Sequence, residues 1–197
     1  MTPVDRSREL ALVARLKQSD GDAFDQVYAE FNARLFNFLA RLCRRRDVAE
    51  DLLEETWLRV VAHASKLRDD TRLAPWLFTI ARNLYTSYCR SRLLDYDLLG
   101  GVQSWPVQPP DPSPFEMAAA GELQRRVEVA LATLPAVYRE AMLLVAQEGF
   151  TPSEAAVICR ITPVAMRQRL RRARVLLAER LEQQPDVAVP ITTEAFP

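Results

Sequence analysis

The sequence predicts an all-α chain built as two small helical domains joined by a flexible linker. Apolar residues recur at steps of three and four along most of its length, the period of helices with one buried face. Five glycines in 197 residues, with few alternating β-branched runs, argue against a sheet. A stretch of poor helix formers then interrupts the pattern: the period fails from Leu93, and Gly100-Gly101, Trp105-Pro106, Pro109, Pro110, Pro112 and Pro114 follow. So long a loop is unusual inside one compact domain and marks a boundary. The expected organisation is a domain over 1–95, an acidic Gly/Pro-rich linker over 96–120, a second domain over 121–183 and a disordered tail over 184–197.

The first helix is expected from Arg8 to Lys17, ended by Ser19-Asp20-Gly21. Asp22 is the expected cap of a long helix with Phe24, Val27, Tyr28, Phe31, Leu35, Phe38, Leu39 and Leu42 on its apolar stripe. Its basic end, Arg44-Arg45-Arg46, suits the negative pole of the helix dipole. Asp47 and Glu50 have capping-box spacing and open a helix from Val48 to Lys66 with Leu53, Trp57, Val60, Ala64 and Leu67 inward. A further helix starts near Pro75 and turns Trp76, Leu77, Ile80, Ala81, Leu84 and Tyr88 inward. Its other face carries Thr79, Arg82, Asn83, Thr86 and Arg90 and no acid, a composition suited to nucleic acid. Beyond the linker, Leu123, Val127, Leu131 and Leu134 form one stripe, and Pro135 starts a helix carrying Val137, Met142, Leu143 and Val145.

The strongest local signal lies between Thr151 and Leu181. Two helical segments there each open with Thr-Pro, and Glu154 stands three residues after Thr151, completing a capping box. A short helix, a tight turn at Arg160-Ile161 and a longer arginine-bearing helix describe a DNA-reading helix-turn-helix. In the second segment Met166, Leu170, Ala173, Leu177 and Leu181 form the apolar stripe, while Arg167, Arg171 and Arg174 repeat on another face. No acid occurs from Arg160 to Arg174. Arginine's planar fork suits guanine edges and phosphates.

Net charge is zero, which by itself weakens a nucleic-acid reading. Its distribution restores that reading. Residues 1–95 carry +2, 96–122 carry −4, 123–183 carry +4 and the remainder −2. Neutrality hides a basic second domain beside an acidic linker. No apolar run approaches the roughly 20 residues that span a bilayer, and no signal-peptide core opens the chain. Cys43, Cys89 and Cys159 are odd in number and far apart, so they read as buried or incidental thiols of a reducing cytosol. Lone His63 has no nearby partner ligand. With no nucleophile motif, phosphate loop or metal-ligand set, neither an enzyme nor a cofactor or metal site is expected.

Five segments in register carry a family resemblance: AFDQVYAEF at 23–31, DVAEDLLEETWLRV at 47–60, WLFTIARNL at 76–84, LATLPAVYREAMLL at 131–144, and the stretch from Glu148 to Leu177. The chain resembles an extracytoplasmic-function sigma factor, a small initiation subunit of bacterial RNA polymerase, over about nine-tenths of its length. The resemblance implies that Asp51, Leu52, Glu54, Glu55 and Trp57 dock on core polymerase at its clamp coiled coil, with the flap as a further contact. It implies that Arg68, Thr71, Arg72, Trp76, Thr79, Arg82, Asn83 and Thr86 recognise and melt the −10 promoter element, a step that extrudes a base and holds a single strand. Arg160, Thr162, Arg167, Gln168, Arg169 and Arg171 fall to −35 recognition, with Arg172 and Arg174 as phosphate anchors. An anti-sigma factor is the implied regulator. No small-molecule substrate, no membrane insertion and a cytoplasmic location are also implied.

Three positions depart from the usual pattern. Arg160 stands where the turn commonly has glycine, Glu54 replaces a more usual glutamine, and Ala74-Pro75 precede the tryptophan where polar residues are common. The alternative reading is a stand-alone helix-turn-helix regulator, which leaves residues 22–92 without a use. A helical interaction protein that has lost DNA binding is a further rival, for which the arginine stripe is awkward.

Overall fold

A computed structural model describes residues 6–98 and 121–183, and among these every element is helical. The expected linker from 99 to 120 and the tail from 184 lie outside the described residues. Helix α1 (Arg6–Lys17) leads into α2 (Gly21–Cys43) and α3 (Arg46–His63), which a 3-10 turn extends over Ala64–Lys66. Helix α4 (Leu73–Leu98) completes the first group. The second group holds α5 (Glu122–Thr133), α6 (Ala136–Met142), α7 (Pro152–Cys159) and α8 (Pro163–Glu182). A π-helical turn over Leu143–Gln147 continues α6.

Several boundaries differ from expectation for local reasons. Asp20, not Asp22, caps α2: its Oδ1 accepts from the Ala23 N–H at 3.1 Å while Arg15 Nε holds the other oxygen at 2.7 Å. Ser19, at φ 59°, turns the chain into that position. The expected Asp47–Glu50 capping box does not form. Asp47 binds Arg45 and Glu50 binds Arg46 Nε at 2.9 Å, because charge-assisted bonds to a neighbouring guanidinium win over a neutral cap. Helix α4 begins at Leu73 because α1 supplies its cap, Glu9 Oε1 accepting from the Leu73 N–H at 2.8 Å. It also runs past Leu93 to Leu98, where a loop was expected.

The core of the first group follows the α2 stripe: Val27, Leu35, Phe38 and Leu39 are fully buried, with Trp57, Val60, Leu77 and Ala81 from α3 and α4. Leu52 is buried in place of the expected Leu53, which is half-buried. Phe78, assigned to no stripe, is fully buried and forms the hinge of the architecture. Its ring stands edge-on to Phe38 and to Phe150, each at 5.2 Å, and Phe150 belongs to the second group. Helix α4 packs against α7, so one apolar cluster is continuous from Leu12 to Leu170. Leu123 and Val137, expected in stripes, are exposed instead.

Polar bridges reinforce this contact. Arg34 Nε donates to Glu148 Oε2 at 3.1 Å, and Arg41 binds Glu128 with its closest approach at 2.7 Å. Arg82 Nε donates to Glu140 Oε1 at 2.9 Å, and Arg72 pairs with Glu154. Arg139 runs the other way, donating from Nη1 to the Leu42 carbonyl at 3.0 Å and closing the C-terminal end of α2. In all four ion pairs the cation comes from the first group and the carboxylate from the second.

Candidate nucleic-acid and polymerase interfaces

Three surfaces gather the residues singled out from sequence. On α3, Asp51 and Glu54 are exposed and Glu55, bound to Arg59 at 2.8 Å, is half-buried. Leu52 is interior, so its contribution is to hold α3 in place rather than to touch a partner. Trp57 is buried but forms the floor of an open groove of about 390 Å³ between α2 and α3. Its indole Nε1 donates to Asn32 Oδ1 at 2.9 Å, and its ring packs on Phe24 and Tyr28 at 5.7 and 4.8 Å. Leu58 and Val61 stand on the wall at 60% and 62% exposure. Sequence reasoning missed these two. Their signal was apolar side chains three apart on a face that solvent alone would leave polar.

The second surface is the 68–74 loop and α4. Arg68 binds Asp70 at 3.0 Å, Asp70's carbonyl accepts from Arg6 at 2.7 Å, and Lys17 pairs with Asp69, so α1 tethers the loop. Thr71 and Trp76 are half-buried, and Arg72 is exposed while reaching Glu154. The hydroxyls of Thr79 and Thr86 donate to the Pro75 and Arg82 carbonyls, at 2.6 and 2.9 Å. Asn83 is half-buried. Arg82 is only 17% exposed and faces Glu140, itself 7% exposed. The acid-free face of α4 is thus partly covered by α6, which one-dimensional reading did not reveal.

The third surface is the helix-turn-helix, where local sequence and structure agree closely. Thr151 Oγ1 accepts from the Glu154 N–H at 3.2 Å, and Glu154 Oε2 accepts in return from the Thr151 N–H at 2.9 Å. Thr162 Oγ1 accepts from the Ala165 N–H at 3.1 Å. The turn passes through Arg160 in the left-handed region, φ 54° and ψ 45°, so it accepts a side chain where glycine is usual. Met166, Leu170 and Ala173 are buried. Arg167, Gln168, Arg171, Arg172 and Arg174 are exposed together, as are Arg160 and Thr162. Arg169 differs: it is 29% exposed and turns back, Nη1 lying 4.0 Å from Glu140 Oε2.

Charge states sharpen the picture. Burial raises the Glu148 carboxyl above its ordinary value, against the opposing pull of Arg34. Burial also lowers the Arg139 guanidinium, with Arg44 adding like-charge repulsion. Burial pushes the Cys43 and Cys159 thiols up to about 12, and Cys89 upward as well. All three are free thiols held in the inert protonated form at neutral pH. Among the described residues no group of three His, Cys, Asp or Glu side chains is placed to hold a metal. No helix among them is long and apolar enough to cross a membrane.

An arginine-faced helix-turn-helix beside a second helical group with its own polar face and an apolar docking groove defines a DNA-binding protein built for a protein partner as well. Comparison with known proteins gives the class. Residues 27–93 match Sigma-70 region 2 and residues 124–177 match Sigma-70, region 4. The RNA polymerase sigma factor CarQ of Myxococcus xanthus is 33% identical, covering 85% of this chain and 94% of its own. SigM of Bacillus subtilis, an extracytoplasmic-function sigma factor, is 30% identical over 76% of this chain and 90% of its own. Among solved structures, the sigma factor RpoE of Bartonella quintana, in complex with the anti-sigma factor NepR, superposes with a TM-score of 0.70. It is 31% identical, over 82% of this chain and 98% of that one. The chain belongs to the extracytoplasmic-function sigma factors of RNA polymerase. The match across residues 27–93 leaves no ground for a stand-alone regulator.

Proposed function

We propose that this sigma factor docks core polymerase on the α2–α3 groove and reads promoters with two separate faces. Leu58, Val61 and Trp57 offer the apolar surface, and Asp51, Glu54 and Glu55 lie at or beside its rim, where charge sets partner choice and association rate. The face of α4 with Trp76, Arg82, Asn83 and Thr86, beside the 68–74 loop, serves the −10 element. The α8 face serves the −35 element. The carrying observation is that Arg167, Arg171 and Arg174 share one exposed face of a capped helix in a stretch free of carboxylates. Four of the second group's acids, Glu128, Glu140, Glu148 and Glu154, are turned toward arginines of the first group, so this face is more positive than the group's net charge suggests. The Bartonella relative, solved with its anti-sigma factor, supports an anti-sigma protein as regulator here.

Run-off transcription with purified core polymerase tests the assignment. Transcripts from specific promoters appear only when core and this chain are both present. Specific duplex binding by the chain alone, with no effect on core, would sink it. In the same assay Glu54→Lys with Glu55→Lys lowers affinity for core and leaves the helical content unchanged.

A further inference from the structure

Resting on the reading of α4 as the −10 face, we propose that Glu140 acts as an intramolecular stand-in for a DNA phosphate and latches the two DNA-reading groups shut. Its two carboxylate oxygens face arginines from opposite sides: Oε1 accepts from Arg82 of α4 at 2.9 Å, and Oε2 lies 4.0 Å from Arg169 of α8. Both arginines are otherwise placed to meet nucleic acid, and both are the more covered members of their faces. A carboxylate between guanidinium groups reproduces the charge and acceptor geometry that a phosphate oxygen would offer.

A second bridge keeps the same contact closed. Glu148, 5% exposed, accepts from Arg34, whose guanidinium also lies over the Phe31 and Phe78 rings at 5.1 and 5.7 Å. Phe150 seals the joint against Phe78. While α6 and α7 occupy this side of α4, a separated DNA strand has no access to Arg82. Buried ion pairs return little net free energy once desolvation is counted, so such a latch closes firmly without becoming irreversible. A partner that binds each group through other surfaces, as the α2–α3 groove allows, can draw them apart. The open state then exchanges Glu140 for DNA at both arginines. The device confines −10 reading to the assembled polymerase and keeps the free chain off single strands.

The test uses the full chain carrying Glu140→Gln with Glu148→Gln, read by small-angle scattering and by binding to a fluorescent single-stranded oligonucleotide and a random-sequence duplex. The closed wild type has a radius of gyration near the ~16 Å of a compact chain of this length. The variant is expected to expand measurably and to gain at least tenfold in single-strand affinity, with duplex affinity changed less than threefold. Should the double variant lose duplex binding, Arg34→Gln, which opens the second bridge from the other side, is judged by the same two readouts. No expansion and no gain overturns the latch. Expansion without a gain overturns the masking and, separately, the assignment of the α4 face to DNA.

Discussion

Arg160 sits in the turn of the helix-turn-helix at φ 54°, where an L side chain crowds the following carbonyl. Its own N–H donates to the Val157 carbonyl at 3.1 Å and the Ile161 N–H to the Ala156 carbonyl at 3.0 Å, so the backbone there is tied at both sides. The strain exceeds the extra chain entropy a glycine loses on folding. Arg160→Gly therefore stabilises the chain by up to about 1 kcal/mol in urea denaturation. A fall in stability would mean that the exposed guanidinium makes a contact worth more than the strain. At Arg171 the question is binding, since the side chain is exposed and meets only solvent-facing neighbours. Arg171→Ala weakens upstream-element affinity by about 1–3 kcal/mol and relaxes preference at one base position, if the fork is bidentate to guanine. A uniform loss across all sequences assigns it to a phosphate.

Helix starts show which local signals can be read from sequence and which cannot. Thr151 and Thr162 cap as their spacing predicts, because the partner N–H lies three residues on and proline in the first turn requires none. Asp47 has the same spacing to Glu50 but loses to Arg45 and Arg46, competitors that a four-residue motif does not weigh. Thr151→Ala costs about 1 kcal/mol, measured by thermal or urea unfolding. Glu154 makes the α7 cap pH-sensitive. Burial raises its carboxyl, but hydrogen bonds from the Thr151 N–H and hydroxyl, with the Arg72 charge, outweigh it and hold the folded value below 4.5. The folded form then binds fewer protons than the unfolded one, so this stabilisation is present above 4.5 and lost as pH falls through the folded value. The stability gap between wild type and Glu154→Gln should close over that acid window. A gap unchanged by pH would remove the carboxylate's charge from the account.

At the scale of the whole molecule, the sequence shows two groups of helices but not that they share a core. Phe78 lies one position beyond Leu77 on α4, off the stripe that periodicity assigns inward, and its burial comes entirely from Phe38 and Phe150 on distant parts of the chain. Arg82 and Glu140 are 58 residues apart, so neither charge pattern nor helical period links them. The acid-free α4 face was legible for the same reason its occupant was not: composition is local and burial is not. A shared core has a thermodynamic signature, because helices that melt together do so in one cooperative step. The wild type is expected to give a single calorimetric transition. Phe150→Ala removes a ring that is 7% exposed, at a cost of about 3–5 kcal/mol if the site does not collapse. Most of that loss falls on the joint with α4, since the Phe150 N–H bond to the Leu144 carbonyl survives the substitution. The variant should therefore melt in two steps, the group from 121 to 183 first. A single step at lower temperature would instead place Phe150 in that group's own core, and the two groups would be coupled by their arginine–carboxylate bridges alone.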